Sequence, residues 1–162
     1  VMLALAAIKE ARALEAARAS QTAIAASTAR FMGLVWSWGA VALVATYATG
    51  ILSWREWWHF LIAFVVAGGL CLVFSAMLKK EPPDGSETLL KLGRYLAIAQ
   101  LVGMVVVMVG LVVDGKMARF INPRSGWEDW AANNVFFCGA FALAVISAFA
   151  LRAQSRAARE AQ

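Results

Sequence analysis

Four apolar stretches constrain this chain more than any other feature. They run Phe31–Leu52, Trp58–Leu78, Leu92–Val113 and Ala131–Leu151. Each supplies about the 20 residues needed to cross a hydrocarbon core of about 30 Å. Backbone N–H and C=O groups have no partner in lipid, so each stretch must pair its own as a helix. The expected fold is an all-α integral membrane bundle of four transmembrane helices.

Composition agrees. Hydrophobic residues make up 62% of the 162 residues and charged residues 15%, where soluble domains carry roughly 45–50% and about 25%. Mean hydropathy is +0.69. A soluble globule of this size has too little interior to hide that much apolar surface. The composition excludes an ordinary cytosolic enzyme.

Basic residues orient the bundle. Lys9, Arg12, Arg18 and Arg30 precede the first span. Lys79, Lys80, Lys91 and Arg94 lie between the second and third, and Arg152, Arg156 and Arg159 follow the fourth. That places eleven on one side, against Arg55, Lys116, Arg119 and Arg124 on the other. The positive-inside bias predicts both termini in the cytoplasm, in a bacterial inner membrane. The net charge of +5 is a topology signal, with no nucleic-acid footprint.

Three segments follow. Residues 1–30 are Ala-rich with interspersed Lys, Arg and Glu, and read as an amphipathic cytoplasmic helix lying on the membrane or projecting from it. The run VMLALAAI has no basic residue ahead of it and soon meets charge, so a secretory signal is not expected. Residues 31–151 form the transmembrane domain, and 152–162 a basic cytoplasmic tail. Pro82, Pro83, Asp84 and Gly85 break the chain between the second and third spans. Ser86 then reads as a helix cap, with Glu87 favourable in the first turn.

Chemistry is sparse. The sequence has no Ser/His/Asp grouping, phosphate-binding loop, dinucleotide fingerprint or HExxH, so a non-enzyme is expected. Glu128 and Asp129 read as a surface pair. One His and two Cys are too few for a structural zinc site or for a haem held by two of the chain's histidines. Cys71 and Cys138 differ in expected depth by roughly 10 Å, too far for a disulfide. No charged residue falls mid-span and all three prolines lie in loops, which argues against a self-sufficient pump, channel or carrier. No cofactor is expected. The alternative is a chlorophyll-type pigment with His59 as axial ligand. A His hydrogen-bonded to lipid or to Glu56 is the plainer reading.

Tryptophan is the strongest non-random signal. Trp54, Trp57, Trp58, Trp127 and Trp130 all fall on the outer side. Indole settles at the headgroup level, so an aromatic belt is the plain reading. The sharper one is a docking surface for a neighbouring subunit. Trp36 and Trp38 are expected near the inner end of the first span. Gln100 is positioned to bond across a helix interface. Spacings of four, as in Gly33–Ser37 and Ala67–Cys71–Ser75, suit close helix packing.

The motif Trp54-Arg55-Glu56-Trp57, opening the second span, resembles one in the small membrane subunit of TRAP-type transporters. Chain length, four spans and inward termini are similar too. A second acidic residue of that motif is absent here, where Trp57 follows Glu56. The resemblance implies a transporter's small membrane subunit. The residues themselves favour a non-catalytic accessory or scaffold subunit of a larger, energy-converting complex, photosynthetic or respiratory. Its partners would be other membrane subunits and lipids. A pigment-binding protein using His59 is the third reading.

Overall fold

A computed structural model describes residues 2–50, 54–80, 87–113 and 127–160, with side chains except at 54–57, 111, 127–136, 157, 158 and 160. The described chain is all helix and turn. The elements are α1 (Met2–Ala16), α2 (Gln21–Ala48), α3 (Trp54–Lys80), α4 (Glu87–Val113) and α5 (Trp127–Glu160). Each of α2 to α5 is long and apolar enough to cross a membrane. The expected fold class is the observed one.

The first thirty residues depart from the single helix expected. They fold as a helix, a tight turn and the start of α2. The turn closes α1 by a Schellman arrangement: Ala19 N–H donates to Leu14 C=O at 2.9 Å and Arg18 N–H to Glu15 C=O at 3.0 Å. Arg18 takes the left-handed position with φ 50°. Glycine is usual there, and a side chain costs about 1 kcal/mol. Ser20 then caps α2, its Oγ accepting from Ala23 N–H at 3.3 Å.

The first membrane helix therefore begins ten residues before Phe31. The extension from Thr22 to Ala29 is small and weakly polar, yet Thr22 and Ile24 through Ala29 are all buried. Hydroxyls enter this interior by bonding within it. Thr28 Oγ1 donates to Ile24 C=O at 2.9 Å, and Ser75 Oγ crosses from α3 to Ala26 C=O at 2.6 Å. At its other end α2 stops at Ala48, short of the expected Leu52. Gly50, at φ 71°, turns the chain and donates to Tyr47 C=O at 3.0 Å.

α2 is the centre of the bundle and packs against α1, α3, α4 and α5. Its contact with α3 is the closest. Gly33 and Gly68 face each other: a Cβ on Gly33 would lie 3.1 Å from Gly68 C=O, and one on Gly68 would lie 3.2 Å from Ser37 Oγ. The spacing Gly33–Ser37 serves that approach.

α1 is a packed element of the bundle. It docks on α2 and α5. Ala4, Ala7 and Ala11, spaced three and four, are its buried stripe. Ala4 and Ala7 belong to the same core as Phe31, Met32 and Val35 of α2 and Leu143 and Ile146 of α5.

One end of the bundle gathers the basic segments. Arg94 at the start of α4 donates to Gln21 Oε1 at 3.3 Å, and Arg156 near the end of α5 reaches Glu15 at 3.5 Å. Arg94 of α4 and Arg156 of α5 thus lie at the end of the bundle where α1 turns into α2.

Candidate functional site

α3 and α4 meet at the basic end and leave a cavity beyond. Near that end the Phe74 ring lies 3.2 Å from where Gly93 would carry a Cβ. Further along, Gln100 Nε2 donates to Cys71 Sγ at 3.3 Å. Gln100 thus bridges two helices, as its position suggested. Beyond it a cavity of about 280 Å³ opens between Phe60, Ala63 and Phe64 on α3 and Met104 and Val107 on α4. Val35, Trp36 and Gly39 of α2 and Gly139, Ala140 and Leu143 of α5 form its back.

This lining holds no charge. Its one side-chain donor is the Trp36 indole, whose Nε1 is buried without a hydrogen-bond partner among the described residues. Trp36 stands edge-on to Phe64, centroids 5.1 Å apart. A helix about 10 Å across fills about 400 Å³ per turn. The cavity suits a ring or a single aliphatic chain, not a helix.

That placement corrects the expectation for Trp36 and Trp38. Because α2 starts at Gln21, Trp36 is in mid-helix, away from the inner end. Trp36 packs inside the bundle, and Trp38 is 61% exposed on its surface.

His59 is exposed one turn into α3. Its ring lies 4.3 Å from Phe60 and 6.1 Å from Trp58, centroid to centroid. Trp58 is half exposed. α3 and α5 open at Trp54 and Trp127, so both tryptophan runs stand at helix N-termini. The side chains of Trp54, Trp57, Trp127 and Trp130 lie outside the described residues, and so does any gathering of the five indoles. Cys71 is buried and Cys138 exposed, and neither is in a disulfide. Among the described residues no three His, Cys, Asp or Glu side chains are grouped to hold a metal.

Sequence reading missed the polar contact that fixes α1. Glu10 accepts from Ser27 Oγ at 2.7 Å and from Arg30 at 2.8 Å. These residues lie 17 and 20 positions apart. Only the turn at Arg18–Ser20 brings them together, and the signal for it was Ser20 ahead of a run of helix formers.

Glycines on the remaining surface form a second group. Gly69 on α3 and Gly103 and Gly110 on α4 have open space where a Cβ would stand. Exposed around the two on α4 are Val102, Val105, Val106 and Val109. Comparison with known protein families, curated proteins and solved structures finds no match to this chain.

Proposed function

We propose that this chain is a non-catalytic packing subunit of a larger membrane complex, with its basic end on the cytoplasmic side of a bacterial inner membrane. The observation that carries the reading is the division of its glycines. Gly33 and Gly68 are consumed by the α2–α3 contact, whereas Gly103 and Gly110 lie seven residues apart in α4 with nothing against them. In a membrane helix glycine lowers helix propensity and is useful chiefly where another backbone comes close. Only 11% of the apolar window of α4 is buried, against 50% for α5. The face of α4 carrying these glycines and valines fits a neighbouring helix better than the small central cavity does.

The test is purification from native membranes under mild detergent, with co-purifying chains identified by mass spectrometry. Wild type should bring defined membrane partners in fixed ratio. Gly103→Leu with Gly110→Leu should insert normally and lose them. Retention of the same partners by this variant sinks the reading.

A pigment-binding role is a second reading, supported by the exposed His59 imidazole, whose ring lies near those of Phe60 and Trp58. A visible absorption spectrum that disappears in His59→Leu is its test.

A further inference from the structure

At the basic end, α1, the turn after it, α2 and α5 border a second cavity of about 330 Å³ that is open on one side. Arg12 and Glu15 come from α1, Arg18 from the turn and Arg156 from α5. Ala16, Ala19 and Ile24 give it apolar lining. Three guanidiniums against one carboxylate leave a net charge of +2. The Glu15–Arg156 approach is long, at 3.5 Å, so Arg156 is not consumed by it. Arg12 lies over the Phe149 ring at 5.9 Å.

We propose that this cavity binds the phosphate of an anionic phospholipid headgroup. Depth is the first argument. Arg156 lies five residues, about 7.5 Å, beyond Leu151, where the fourth apolar stretch ends, so the cavity stands where the hydrocarbon-facing sequence ends and headgroups begin. Chemistry is the second. Guanidinium offers phosphate a planar fork of donors, and basic pockets between membrane helices suit anionic headgroups. Apolar residues beside the arginines match the start of an acyl chain, which a free anion lacks.

Backbone conformation is the third and independent argument. Arg18 holds the left-handed position of the Schellman turn, where glycine would serve the turn with less strain. The strained residue is the one that carries a third guanidinium to the cavity.

Arg18→Gly therefore separates binding from folding. In detergent micelles, native mass spectrometry should find phosphatidylglycerol retained by wild type in preference to phosphatidylcholine. Arg18→Gly should bind phosphatidylglycerol about fivefold more weakly, with a lipid-free Tm equal to or above that of wild type. Arg156→Gln should weaken binding similarly. Displacement of phosphatidylglycerol by inorganic phosphate would support phosphate as the recognised group. Equal retention of the two lipids by wild type overturns the proposal, as does unchanged phosphatidylglycerol binding in Arg18→Gly. Binding of inorganic phosphate without retention of phosphatidylglycerol overturns the lipid assignment.

Discussion

Arg30, the tenth residue of α2, holds its guanidinium 2.8 Å from the carboxylate of Glu10 on α1. Ser27 Oγ donates to the same carboxylate at 2.7 Å. The two charged side chains are 40% and 37% exposed, so solvent or headgroups reach the pair and added salt should weaken it. Glu10→Ala is expected to destabilise α1 docking by about 1 kcal/mol. A double-mutant cycle with Arg30→Ala, read from Tm in micelles at low and high salt, checks this. Additive single effects at both salt concentrations would show that the pair contributes nothing.

The glycines of α3 offer an internal control. A methyl added at Gly68 meets Trp36 Cβ and Ser37 Oγ at 3.2 Å, whereas one added at Gly69 meets nothing within 4 Å. Gly68→Ala should cost about 1–3 kcal/mol by overpacking the α2–α3 contact. Gly69→Ala should be neutral or stabilising by about 0.5–1 kcal/mol through helix propensity. Thermal unfolding of the two variants side by side checks the order. Equal destabilisation would refute the pairing of Gly33 with Gly68.

Ser20 bears on the new start of α2. Ser20→Ala should cost about 1 kcal/mol by removing the acceptor for Ala23 N–H. Hydrogen exchange should quicken at the first turn of α2 and stay unchanged near Leu43, which is fully buried.

Orientation is open to a direct measurement. If the basic end is cytoplasmic, as proposed, the chain fused after Gln162 to a reporter active only outside the cytoplasm should give no signal. Activity of that fusion would invert the bundle.

The spans were legible because membrane crossing is a matter of length and hydropathy, which a sequence displays openly. Their ends were less so. Thr22–Ala29 has the composition of a tolerable surface helix, and only the facing helices reveal that its small side chains are packed. Gly50 marked the real end of α2 but sits inside an apolar run, where periodicity alone carries the reading past it. Gln100 was legible as a cross-helix group because a carboxamide between apolar turns needs a partner. Its partner, Cys71, was not, because pairing depends on the rotation of each helix about its own axis. The cavity behind Trp36 was hidden for the same reason: its lining comes from four helices, and no sequence interval contains it.

The central position of α2 has a consequence in time. Chains enter a membrane from the N-terminal end, and domains tend to settle in that order. α2 is made before α3, α4 and α5, and each of the other described helices packs against it. Its partners α1 and α3 flank it directly in sequence, so these three helices can pack together, closing the α2–α3 contact, before α4 and α5 are made. α4 and α5 then arrive at a finished wall rather than at a loose strand of helices, and α5 completes the groove that holds α1.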